Sequence, residues 1–261
     1  MATEFESRYT NANVAPGSSE YDAKLFLSLH EIREKPQLQA IQLTSISVAI
    51  LCAQYRGDSV ARLFHDITKD KRVEEVSTLF QAVREAITVT VPFVGLPNCM
   101  PACFGLVNEL RQRNLEGVEG PRRGNIQDHD IDYTARGLEI TEALYRGVGN
   151  SEVRTMVQQY FPGLSYFGRT AIWGYLVGSS PIFELKETEM IVAGAIAATG
   201  ATRQTRSHVK CALSIGNNVA SVVALMDTVR AIVRWNGKSI SEDLNIAQLG
   251  EELKRNLADL G

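Results

Sequence analysis

Residues 189–216, EMIVAGAIAATGATRQTRSHVKCALSIG, decide how the chain is built. They read as two helices meeting at Thr199-Gly200. In the first, Met190, Ile191, Val192, Ala193, Ala195, Ile196, Ala197 and Ala198 are apolar almost all round, the pattern of a helix in the middle of a domain. The second puts Ala201, Gln204, His208, Cys211 and Ile215 on one stripe, at spacings of three and four. If the two pack antiparallel across Gly200, Glu189 lies eleven residues before that turn and His208 eight after it. At about 1.5 Å of rise per residue, they come within one helical turn of the same level. A carboxylate and an imidazole then face one cavity inside an apolar bundle.

Working outward, the segments on both sides are helical too. Toward the N-terminus stand LSYFGRTAIWGYLVG (164–178) with four aromatics, a turn at Pro162-Gly163, and helices over 133–145 and 151–161. Toward the C-terminus, Asn217-Asn218 leads into a helix over 219–235 that Asn236-Gly237 stops. A last helix, capped by Ser239 or Ser241, carries the stripe Ile246, Leu249, Leu253, Leu257 and Leu260. It needs a surface to cover, either the domain itself or a second copy.

The first half reads as helices over 23–34 and 38–54 (with Pro36 in a first turn), one through His65, one over 73–91 ending at Pro92, and one over 99–113 with Asn98 as N-cap. Apart from the β-branched patch Ile87 to Val91, nothing alternates as a strand would, so the fold class is all-α. The divisions expected are a loose arm over 1–22, a helical half over 23–113, a glycine- and charge-rich linker over 114–130, a second half over 131–238 and a C-terminal helix over 239–261. Arg122-Arg123 in the linker reads as a solvated bend.

Composition narrows the function. With 261 residues, 44% apolar and 22% charged, the chain can bury a substantial core. A net charge of −3 gives no reason to expect nucleic acid, and no apolar run is long enough to span a bilayer. The first 21 residues hold three glutamates and no apolar core, which points to the cytosol. Cys52, Cys99, Cys103 and Cys211 lack the two-apart spacing of zinc ribbons and dithiol sites, and read as small buried side chains.

The halves echo each other. Thr44 to His65 spans 21 residues, as does Glu187 to His208, and 30 and 29 residues then lead to Gly95 and Gly237. A tandem duplication of one helical unit accounts for this. The copies differ chemically. Nineteen residues before His65 stands Ile46, where the second half has Glu189. His65 also points off its helix's apolar face (Val60, Leu63, Phe64, Ile67) and reads as a surface or interface histidine. Only the second half is expected to keep acid and imidazole together.

The run from Leu185 to Gly237 resembles the carboxymuconolactone decarboxylase and alkylhydroperoxidase-D-like superfamily. The residues that carry the resemblance are Glu189 opening a long apolar helix, His208 in the next, the "ALSIG" that follows, and Asn236-Gly237. Pro162, Gly163 and Trp173-Gly174 look like the decarboxylase branch, and residues 38–100 like a degenerate copy. The resemblance implies an alkylhydroperoxidase-D-like helical bundle. In the peroxidase branch Cys-x-x-Cys precedes the histidine. Those cysteines fall at Ala201 and Gln204, so dithiol peroxide reduction is not expected.

The decarboxylase branch implies a cofactor-free, metal-free lyase or isomerase acting on a lactone, polyketide or aromatic acid, as in a tailoring step of secondary metabolism. Glu189 and His208 would be the general acid–base pair, with Gln204 hydrogen-bonding a carbonyl. Trp173 and Tyr166 could line an aromatic pocket, and Arg169 could bind a carboxylate. Taken alone, His208 also reads as a satisfied core histidine and Glu189 as a first-turn acid serving the helix dipole. The alternative function is a non-catalytic oligomeric binding or scaffold protein. Expected partners are a small-molecule substrate and further copies of the chain.

Overall fold

No residue of α9 (Leu185–Ala198) from Thr188 onward reaches solvent, and the molecule is arranged to achieve this. The structure is a computed structural model that describes residues 3–31, 38, 40–115, 123, 124, 126, 130–149, 151–240 and 244–259. Pro36, Arg122, Ser241, Leu260 and most of the 114–130 linker lie outside these residues. The described residues contain no strand; the protein is all-α. Even Ile87 to Val91 is helical, because burial on a helix face overrides a β-branched run's local preference.

α9 lies beside α2 (Ala40–Ala53), its counterpart in the first half and equally apolar on all sides. They approach where Gly194 has no side chain: a Cβ there would stand 3.0 Å from Leu225 and 3.5 Å from Ile46. α3 (Val60–Thr68), α4 (Val73–Val94) and α5 (Leu96–Gln112) wrap α2. α10 (Thr202–Ser214) and α11 (Val219–Trp235) wrap α9, and α4 also packs on α9. The succession of elements expected of a repeated unit is therefore present in both halves. Their cores are not separate, since one apolar cluster runs from Phe26 through Ile46 and Ala195 to Leu249. The seam is hydrogen-bonded: Gln54 donates to the Ala198 carbonyl at the end of α9, and Asn236 donates to the Gln54 side chain at 3.0 Å.

An outer layer is formed by α6 (Tyr133–Tyr145) and a π-helix, Gly168–Val177, packed backbone to backbone. Asp132 caps α6, accepting from the Thr134 and Ala135 amides at 2.9 Å. Between these two elements lie α7 (Ser151–Tyr160) and α8 (Pro162–Phe167). Pro162-Gly163 therefore begins a helix rather than turning the chain, with Pro162 at the position where its missing N–H is not needed.

Several local expectations are corrected. α4 continues through Pro92 to Val94. A proline in the last turn forfeits one bond, and Gly95, at φ 91°, ends the helix and opens α5 before Asn98. The N-terminal segment is docked, not loose. Thr10 is buried beside Gly105, Tyr9 packs on Phe104, and the Trp235 indole donates to the Glu20 carbonyl at 2.9 Å. α12 (Ile246–Ala258) is capped by Asn245 and buries Ile246, Leu249 and Leu253 against this chain, with Lys210 paired to Glu252 at 2.9 Å. Its stripe is covered without a second copy.

Arg123 is not a solvated bend either. Its guanidinium is nine-tenths buried. It pairs with Glu85 and donates to the carbonyls of Tyr175, Leu176 and Ser179, which the end of the π-helix leaves without amide partners.

Candidate active site

The α9–α10 hairpin turns at Gly200, whose φ of 80° a side chain would strain. It brings the two residues singled out in the sequence into contact. His208 Nδ1 lies 2.7 Å from Glu189 Oε1, with Glu189 at 0% exposure and His208 at 5%. Tyr145, the last residue of α6, completes the arrangement with its hydroxyl 3.3 Å from His208 Nε2. One tautomer satisfies both contacts: Nδ1–H donates to Glu189 while Nε2 accepts from Tyr145.

Three aromatic rings enclose the imidazole. Trp173 lies parallel to it at 6.1 Å between centroids, tilted by 14°. Phe93 and Tyr145 meet it edge-on at 6.1 and 6.0 Å. Phe93 comes from α4, two residues before its end, so the first half contributes a wall to the second half's site. The site lies where the main core meets the α6 and π-helix layer, among Val192, Ile196, Val177 and Leu144.

Burial governs the protons. It raises the Glu189 carboxyl above the ordinary 4.5, against the opposing pull of His208. It raises the Cys211 thiol too, helped by the Glu189 charge, and pushes the Tyr145 phenol well above its usual range. Tyr145 and Cys211 therefore hold their protons at neutral pH, and the thiol is not a nucleophile. Glu189 Oε2 is buried with no hydrogen-bond partner among the described residues, an acceptor left open.

These directions set a pH dependence. A carboxyl whose pKa is raised by folding contributes stability below its unfolded pKa and loses that contribution as pH rises through the folded value. Wild type should therefore lose thermal stability relative to Glu189→Gln as pH climbs above 4.5. Melting midpoints of the two proteins across about pH 4 to 8 check this. A gap that widens in favour of wild type with rising pH would show that the ion pair outweighs desolvation.

Glu189, His208 and Cys211 offer a carboxylate oxygen, an imidazole nitrogen and a sulfur within 4.8 Å of one another. A metal ion there would have to displace the 2.7 Å hydrogen bond and deprotonate the thiol. The pair as it stands is closed on itself as a proton relay.

The other candidates divide. Trp173 is in the aromatic box. Arg169, one turn earlier on the π-helix, is half-buried, and its side chain makes no ion pair among the described residues. Gln204 is exposed in the first turn of α10, beyond the end of α9, and Thr205 takes the buried place instead. It does not hydrogen-bond His208. Tyr166 is 65% exposed on α8, away from the box.

Tyr145 and Phe93 were not foreseen. Tyr145 is 63 residues from His208, and no local spacing signals the contact. Phe93 was hidden by ending its helix at Pro92. The first-half histidine is on the surface, as its helix face implied, but it has an acid after all. His65 Nδ1 lies 2.8 Å from Glu109, which α5 supplies from 44 residues on rather than from 19 before.

No protein-family model matches the chain. It is similar to a protein named Peroxisomal protein 2 in two yeasts. The Saccharomyces cerevisiae protein is 27% identical over 156 residues, which is 58% of this chain and 53% of that one. The Schizosaccharomyces pombe protein is 23% identical over 209 residues, covering 79% of this chain and 92% of the relative. The matched region thus spans about half the length of the first relative and nearly all of the second. Among the described residues, no helix is long and apolar enough to cross a membrane.

Proposed function

We propose that Glu189 and His208 are the acid–base pair of a cofactor-free lyase or isomerase of the carboxymuconolactone decarboxylase and alkylhydroperoxidase-D-like type. Its substrate is a lactone, polyketide or aromatic acid. The observation that carries this reading is the buried 2.7 Å contact between His208 Nδ1 and Glu189, with Tyr145 on the opposite ring nitrogen. Glu189 accepts the imidazole's proton and orients the ring. Nε2, released from Tyr145, can take a proton from substrate or return one to an enolate. Tyr145 keeps its proton and can donate it to a developing oxyanion. Trp173 and Phe93 supply flat apolar walls and exclude water. A dithiol peroxidase is disfavoured by Ala201 and Gln204 at the positions of the thiols.

A binding or scaffold role is the second reading, favoured by the burial of the pair itself, since a satisfied core histidine looks the same. The two separate in one experiment. A panel of lactones and aromatic acids is assayed for carbon dioxide release and isomerisation, with Glu189→Gln and Tyr145→Phe beside wild type. Loss of about 10²–10⁴-fold in turnover in folded variants supports catalysis. Full turnover in both variants, or none in wild type with ligand binding retained, supports the second reading. For location, the relatives' name favours the peroxisome over the cytosol. Co-localisation of a fluorescent fusion with a peroxisomal marker tests it.

A further inference from the structure

The hairpin of α7 and α8 has no buried residue: none of positions 152–160 or 162–167 is shielded from solvent. It nonetheless carries Met156, Tyr160, Phe161, Leu164, Tyr166 and Phe167, each between 50% and 68% exposed. At about 150–250 Å² per aromatic side chain, these six leave on the order of 650 Å² of apolar surface in water. That exceeds the roughly 300–600 Å² of the largest patch on a typical monomer. It approaches the roughly 800 Å² that each partner contributes to a stable interface.

α7 is only ten residues long, packs chiefly on α8, and is tied to α6 by one loose ion pair, Arg154 to Glu142 at 3.7 Å. An isolated helix shorter than about 12–15 residues is marginal in water. This hairpin needs a cover.

We propose that the cover is a second copy of this chain, packed two-fold, aromatic against aromatic, on the α7–α8 hairpin. A two-fold contact uses the same patch on both sides, and a flat aromatic surface is complementary to itself. The charges flanking the patch, Glu152 and Arg154, are of opposite sign and suit the same pairing. A membrane surface would instead call for a basic rim, which the hairpin lacks. α8 runs directly into the π-helix that carries Trp173, so the contact braces the wall beside His208. This inference does not depend on what chemistry, if any, that wall serves.

Sedimentation velocity of the full chain over about 1–100 µM should show a dimer, or a larger closed assembly built on it. The Phe161→Asp/Phe167→Asp variant should sediment as a monomer with unchanged helical circular dichroism. Val73→Asp, at another apolar position 56% exposed on α4, should remain assembled. If the aspartate variant fails to fold, Tyr160→Ser/Tyr166→Ser provides a milder test, with self-association weakened at least about tenfold. Amide exchange over residues 151–177 should be slow in the assembly and fast in the monomeric variant. The proposal is overturned by wild type that is monomeric throughout, or by hairpin variants that assemble like wild type. It is equally overturned by a monomeric chain that binds phosphatidylserine vesicles through the hairpin.

Discussion

Replacing His208 by alanine should destabilise the protein by about 3–5 kcal/mol, most of it from what is left behind rather than what is removed. Glu189 is fully buried, and its second oxygen already lacks a partner. Without the imidazole it has no hydrogen bond at all. It must then ionise unpaired in an apolar site or fold protonated beside a cavity, and both are unfavourable. Removing both polar groups should restore most of the loss, because Glu189→Met/His208→Leu fills a similar space and leaves nothing unsatisfied. A urea-denaturation cycle over the two singles and the double measures the coupling. Additive changes, or a His208→Ala loss below about 1 kcal/mol, would mean that the carboxyl finds another partner.

The second large effect lies on the outer layer. A Cβ at Gly137 would stand 1.8 Å from the Arg169 carbonyl oxygen, and one at Gly174 would stand 1.9 Å from the Tyr133 carbonyl oxygen. Both obstructions are backbone, so no side-chain rotation relieves them, and α6 and the π-helix must move apart. Overpacking usually costs about 1–3 kcal/mol, and Gly137→Ala or Gly174→Ala should each reach or exceed the top of that range. The double variant should cost less than the two losses added, because the first separation of the helices makes room for the second methyl. Gly163→Ala, where nothing lies within 4 Å, should be neutral or slightly stabilising. Since Tyr145 and Trp173 ride on the two separated elements, the near-ultraviolet circular dichroism of the glycine variants should change with the melting point. Variants as stable as wild type would show that the layer is not packed this tightly.

Legibility in the sequence follows the range of the interaction. The α9–α10 hairpin and its acid–imidazole contact were within reach because helical rise converts residue counts into heights, and Gly200 marks where counting reverses. The all-α class followed from periodicity. Tyr145 was not legible, since it meets His208 only through packing of a layer 63 residues away. The π-helix was not either: its wider turn depends on the backbone contact through Gly137 and Gly174, and an apolar aromatic run looks the same in either winding. Gln204 failed for a local reason, as it shares the His208 stripe but lies past the end of the helix opposite. Arg123 sits in a stretch whose composition reads as linker, and its burial comes from carbonyls and an acid on distant elements.

The joined core has a consequence for synthesis. α2, apolar on every side, leaves the ribosome early, but its neighbour α9 follows far behind: Gln54 and Ala198, which bond at their ends, are 144 residues apart. At about 5–20 residues per second, α2 waits roughly 7 to 30 s for the surface that buries it. A nascent chain of this protein is thus a client for holding chaperones until the second half emerges, and release before then leaves a sticky helix with nothing to fold against.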